Sequence, residues 1–145
     1  MIYVYDASFV IAILLPDESN PKIDSIHDAL EESDSVYVPQ LIWYETVNIF
    51  RNLIWRGRFT MDEVMQFYPI LSFPNFHTDF ETIKDYSQKI LTLCSSHDIS
   101  AYDAVYLELA DRKKAVLCSL NEKLINAAKS HGVEVIQHTS IDVYG

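Results

Sequence analysis

Acidic side chains are the chemistry this 145-residue chain offers in quantity. Twenty-one aspartates and glutamates stand against eleven lysines and arginines, a formal net charge of −10. No Cys-x-x-Cys pair, His-x-x-x-His spacing or glycine-rich loop competes with them. Asp6 follows a β-branched and aromatic run, and Glu45 sits in the amphipathic stretch after a second such run. Asp103 stands three residues after Ser100 where another periodic stretch begins, and Asn121 follows the apolar run 115–118. Two carboxylates ~4 Å apart repel by roughly 4 kcal/mol at an effective dielectric of ~20. Gathered acids therefore call for a cation. Magnesium and manganese prefer carboxylate oxygens and water, and two such ions about 3.5–4 Å apart activate a water and clamp a phosphodiester.

The charge balance argues against a protein that coats nucleic acid by electrostatics alone. Acids gathered around divalent cations reverse the local sign, so a polyanionic substrate stays open. A basic partner protein is the other meaning of the surplus, and most acids outside the named positions read as solvated surface.

The positioning elements follow from periodicity. Residues 2–5 read as an opening strand, and 9–15 as an apolar helix halted near Pro16, too short to span a bilayer. Asn20 and Pro21 predict the cap and first residue of a helix reaching about Ser33. Residues 36–38 form the second strand; Pro39 then opens a long helix that ends near Gly57 and carries Glu45 about two turns in. Thr60 with Glu63 is a capping-box pattern for a helix to about Leu71. Residues 73–77 read as loop or short strand, and 80–95 as an amphipathic helix with Ile83, Tyr86, Ile90 and Leu93 on one stripe. Helices over 100–113 and 121–131, the latter closed by Gly132, bracket the strand 115–118, and 133–136 is a last strand. Strands that are continuous apolar runs separated by helices indicate an α/β domain: three layers, with a parallel sheet of four or five strands between helices. In such a sheet all C-terminal strand ends share one edge, where ligands collect.

Length and composition agree with one domain over residues 1–145, 49% hydrophobic and with only two cysteines, so no disulfide framework is expected. No secretory leader is legible, and a cytoplasmic location with no membrane association is expected.

Tyr5-Asp6-Ala7-Ser8, Pro39 with Glu45 and Asn48, Ser100-Ala101-Tyr102-Asp103-Ala104, and Ser119-Leu120-Asn121 occur in this order, followed by Gly132-Val133-Glu134-Val135. Together they resemble the PIN-domain ribonucleases, and the length resembles the VapC-type toxins of toxin–antitoxin pairs. The resemblance implies a metal-dependent endoribonuclease that cuts RNA by in-line attack of water, leaving a 5′-phosphate and a 3′-hydroxyl. It implies Asp6, Glu45 and Asp103 as catalytic and metal-binding acids around Mg2+, with Mn2+ as substitute. Ser8 would hold the first carboxylate, Asn48 would face the same cleft, and Ser119 matches a small hydroxyl before the family's last acidic position. That position departs from the pattern: Asn121 keeps one oxygen donor and removes a charge, which puts a second ion in question. A homodimer and a cognate antitoxin that blocks the cleft are further implications, and the net charge suits a basic inhibitor.

Each residue also has a plainer reading. Asp6 serves as a strand-end turn residue, Glu45 as an exposed glutamate among apolar neighbours, Asp103 as half of a cap with Ser100, and Asn121 as an N-cap. On those terms the chain is a PIN-like RNA-binding or regulatory scaffold without catalysis. Arg51, Arg56 and Arg58 either complement a helix C-terminus or contact RNA phosphates. Most tyrosines, with Trp43 and Trp55, read as core or subunit interface rather than stacking platforms. His27, His77, His97, His131 and His138 share no metal spacing, and Cys94 and Cys118 read as buried apolar groups.

Overall fold

The computed structural model describes residues 1–16, 20–81 and 84–136. Four parallel strands, β1 (Ile2–Tyr5), β2 (Ser35–Pro39), β3 (Phe76–Asp79) and β4 (Val116–Cys118), lie side by side in the order β3-β2-β1-β4. Between β1 and β2 come helices α1 (Ala7–Leu14) and α2 (Pro21–Asp28). Helix α3 (Leu41–Trp55), α4 (Met61–Met65) and a 3₁₀ turn at Tyr68–Leu71 lead to β3. Helices α5 (Tyr86–His97) and α6 (Ala101–Lys113) lead to β4, and α7 (Glu122–His131) follows it.

This order decides the layers. Passing from β1 to β2 to β3 steps in one direction, and right-handed crossovers put α1–α4 on one face. The return from β3 past both neighbours to β4 runs the other way, so α5 and α6 cover the opposite face. Accordingly α6 packs on β1, β2 and β4, flanked by α5 and α7, while α1 meets α2 and α3. The stepping direction reverses between β1 and β4, and a crevice opens outside their C-terminal ends. The C-terminal ends of β1 and β4 are buried, Val4, Tyr5, Leu117 and Cys118 showing no exposed surface, as apolar runs in a doubly covered sheet require. Among the described residues no helix is long and apolar enough to cross a membrane.

Local chemistry accounts for most boundaries. Asn20 caps α2 with Pro21 in its first turn, Thr60 and Glu63 form a reciprocal capping box, and Ser100 caps α6. Gly57 and Gly132 take left-handed φ values of 74° and 88°, which a side chain would strain.

Several expected boundaries move. Pro39 closes β2, paired with Asp79, rather than opening α3, which places Glu45 in the second turn of a helix starting at Leu41. Helix α2 stops at Asp28, because the Asp34 carboxylate accepts from the Glu31 amide and the Met1 amine and turns the chain into β2. Helix α4 ends at Met65, and Pro69, lacking an amide hydrogen, sits in the 3₁₀ turn beyond. Residues 76–79 are strand, and α5 begins only at Tyr86, after Asp85 in a left-handed conformation. The stripe position Ile83 lies outside the described residues, as does His138. The last expected strand is reduced to a single bridge between Val135 and Leu117.

Candidate active site

The β1/β4 crevice is built around Asp6. Its backbone amide donates to the Cys118 carbonyl (3.1 Å), continuing the strand pairing one residue past β1, while its side chain caps α1 by accepting from the Phe9 amide at 2.9 Å. Two serines complete the cradle. The Ser8 hydroxyl donates to Oδ1 (2.6 Å) and accepts from the Leu120 amide; the Ser119 hydroxyl donates to Oδ2 and accepts from the Asn121 amide. The turn after β1 and the turn after β4 are thereby tied to one carboxylate that is 4% exposed. Burial pushes its pKa up, the three hydrogen bonds pull it down, and the charge of Asp103 pushes it up again; the net direction is upward.

Glu45 reaches the same region from α3, whose buried stripe of Ile42, Thr46, Phe50 and Leu53 fixes the rotation of the helix. Trp43 Nε1 donates to Thr78 Oγ1 (2.9 Å), pinning the first turn to β3. The Glu45 carboxylate accepts from the buried Tyr106 hydroxyl at 2.5 Å. Its pKa is raised by burial, lowered by Tyr106 and raised by the charges of Asp6 and Asp103. Asp103 arrives from the first turn of α6, which begins at this edge because it must end where β4 starts. Burial raises its pKa, against the Ser100 and Asn121 hydrogen bonds and the Lys123 charge.

Asn121 takes the N-cap role read from the sequence. Its Oδ1 caps α7, accepting from the amides of Lys123 (3.0 Å) and Leu124 (3.4 Å). The oxygen is therefore turned to the helix, and Nδ2 faces Asp103 at 3.4–3.5 Å. Asn121 therefore presents a hydrogen-bond donor to Asp103, and its oxygen is engaged by the helix.

The three acids thus act on one another electrostatically, from β1, α3 and α6. Their donor chemistry suits a hard divalent cation. Both lone pairs of Asp6 Oδ1 are taken by Ser8 and Phe9, while Oδ2 keeps one beside Ser119. The spacing is open: among the described residues no three carboxylate, imidazole or thiolate groups converge into a ready-made ligand set.

Other expected residues lie around this cluster or away from it. Asn48 is exposed three residues after Glu45. Arg56 caps the C-terminus of α3, about 16 Å along the helix axis from Glu45 at 1.5 Å per residue, and Arg58 lies beyond it. The Arg51 guanidinium lies over the Trp55 ring, 5.5 Å from its centroid. Both belong to an apolar groove of about 470 Å³ between α3 and α4, with Ile54, Met61, Val64 and Met65. Trp55 is 80% exposed there, and Tyr44 and Tyr102 are also exposed, whereas Tyr5 and Tyr106 are core. Sequence reasoning missed Tyr106, although its place one helical turn after Asp103 put it on the same face. It also missed Arg112, which pairs with Glu108, Asp79 and Glu81 and joins α6 to the end of β3.

Comparisons with known proteins agree with this architecture. The PIN domain family model matches residues 3–130. The chain is 26% identical over 128 residues to Ribonuclease VapC3 of Pyrobaculum aerophilum, covering 83% of this chain and 90% of that one. The fold is similar to VapBC-1 from nontypeable Haemophilus influenzae, with a TM-score of 0.67 at 14% identity over 96% of this chain and 99% of that one. It is also similar to a toxin-antitoxin complex from Klebsiella pneumoniae, with a TM-score of 0.62 at 13% identity over 93% of this chain and 96% of the other.

Proposed function

The chain belongs to the PIN-domain family, and from that premise we propose that it is a VapC-like toxin: a metal-dependent endoribonuclease held in check by a cognate antitoxin. One observation carries the reading. Asp6, Glu45 and Asp103, from three separate elements, influence one another electrostatically beside the crevice where the sheet reverses direction, and each carries a raised pKa, which supports this reading.

Asp6, Glu45 and Asp103 would hold the ion, Mg2+ or Mn2+, which when bound supplies Lewis-acid and water-activating chemistry toward a phosphodiester. The chain's own residues prepare that site. Ser8, Ser119 and the Phe9 amide fix the Asp6 carboxylate before any ligand arrives. Tyr106 favours the ionised form of Glu45, and Asn121 with Lys123 favours that of Asp103. Buried, mutually repelling carboxylates make the empty cleft costly and a dication welcome.

Two features support the antitoxin. The formal charge of −10 suits a basic partner segment, and the apolar groove beside Trp55 offers a surface for a partner's apolar side chains. Homodimerisation belongs to the same reading and is checked by light scattering. The activity itself is tested by incubating single-stranded RNA with the chain in manganese, magnesium or EDTA. We expect cleavage with either ion, loss in EDTA, and a fall of at least about 100-fold in Asp6→Asn. RNA retained without products in manganese would instead make the protein a PIN-like binding scaffold, a reading favoured by the open spacing of the acids and the direction of the Asn121 amide.

A further inference from the structure

His97 and His131, separated by 34 positions in sequence, face each other with Nε2 of the first 3.0 Å from Nδ1 of the second. Their rings stand at 82° to each other. His97 is the last residue of α5 and His131 the last of α7, so two helix C-termini with their partial negative charge come together here. Asp111 Oδ2 lies 3.5 Å from His131 Nε2, so a proton on Nε2 would face this carboxylate and leave the Nδ1 lone pair toward His97. A carboxylate behind the far nitrogen of a histidine is the arrangement that orients imidazole ligands on transition metals.

We propose that His97 Nε2 and His131 Nδ1 form a two-imidazole site for a borderline divalent ion such as Zn2+, separate from the acidic cleft, with water filling the remaining positions. Two nitrogens bound about 2.0–2.1 Å from one tetrahedral ion lie about 3.3 Å apart, within a few tenths of an ångström of the separation already present. Binding requires His97 to carry its proton on Nδ1 in place of Nε2 and the rings to tilt so that both lone pairs meet at the ion rather than along the N–N line. The site opens toward solvent on the His97 side, in a cavity shared with Ser95, Asp98, Lys123 and Asn126, which gives the waters room. Lys114 lies 3.8 Å from Asp111 Oδ1 and engages the other carboxylate oxygen. Imidazole ligands select zinc, nickel and copper over magnesium. Ion binding would tie the last turns of α5 and α7, the helices on either side of α6, which carries Asp103.

The test is titration calorimetry of Zn2+ into the full chain in saturating magnesium, which occupies oxygen sites and does not compete for imidazole. One equivalent of Zn2+ should bind and raise the melting temperature. His97→Ala and His131→Ala should each weaken that binding at least tenfold, and Asp111→Asn by a smaller factor. His97→Gln, which can still hydrogen-bond His131, keeps the test open should the alanine variants fold poorly, and it should lose the zinc-induced stabilisation. Zinc binding with unaltered affinity in His97→Gln or His97→Ala overturns the proposal. No RNA enters the experiment, so its outcome is independent of the nuclease reading.

Discussion

The Tyr106 hydroxyl donates to Glu45 Oε1 at 2.5 Å, joining α6 to α3 across 61 positions of sequence. Tyr106 is 2% exposed, and its own pKa is driven far up by burial and by Glu45, so it stays a donor at every accessible pH. A fixed donor favours the ionised carboxylate against the burial that opposes it. Tyr106→Phe should therefore raise the Glu45 pKa further. The acid limb of the pH–rate profile for RNA cleavage should move upward, each unit of movement lowering the rate on that limb about tenfold, or about 1.4 kcal/mol. An unmoved limb would remove Glu45 from the titrating groups.

Burial gives Asp6, Glu45 and Asp103 folded pKa values above their unfolded ones, with neighbouring carboxylates adding to it at Asp6 and Glu45. The folded state then binds protons more tightly, so the contribution of these groups to stability is fullest below the ordinary carboxylate range and falls as pH rises through the raised values. In EDTA, Asp103→Asn should melt higher than the parent by about 2 °C at pH 7 and show no advantage at pH 3. Manganese should close the gap at pH 7. Thermal melts at both pH values with and without the ion decide it.

Asn121→Asp keeps the α7 cap, since aspartate caps as well as asparagine. It replaces a donor by an acceptor 3.4–3.5 Å from the Asp103 carboxylate. The variant should be less stable in EDTA and reach half-maximal cleavage at a manganese concentration several-fold lower. A melting temperature independent of chelator would show that the two side chains do not face each other.

Ser119 is 2% exposed and bridges Asp6 Oδ2 to the Asn121 amide. Ser119→Ala leaves a buried acceptor and a backbone donor without this hydroxyl, a cost of about 1–3 kcal/mol. Urea denaturation should show that loss with an unchanged slope.

Arg112 holds Glu108, itself 6% exposed, together with Asp79 and Glu81. Arg112→Met would strand those carboxylates, and breaking a buried pair from one side costs roughly 3–5 kcal/mol. The same substitution combined with Glu108→Leu should recover part of the loss, which a double-mutant cycle measures.

Residue types and spacing alone determined the alternation of strands and helices and the caps at Asn20, Thr60, Ser100 and Asn121, because hydrophobic period and capping are local properties. They also put Asp6 at the end of a strand and Asp103 in a first turn, so the parallel sheet had to bring both to one edge. What stayed invisible depends on contacts across the chain. Pro39 reads as a helix opener until β3 pairs beside it, and the last strand fails because a single bridge to Leu117 is all it secures. The direction of the Asn121 amide follows from the cap and from Asp103 together, and the meeting of His97 with His131 follows from two helices ending side by side. Sequence periodicity records which face of an element is buried, whereas the partner on that face is chosen only when the layers pack.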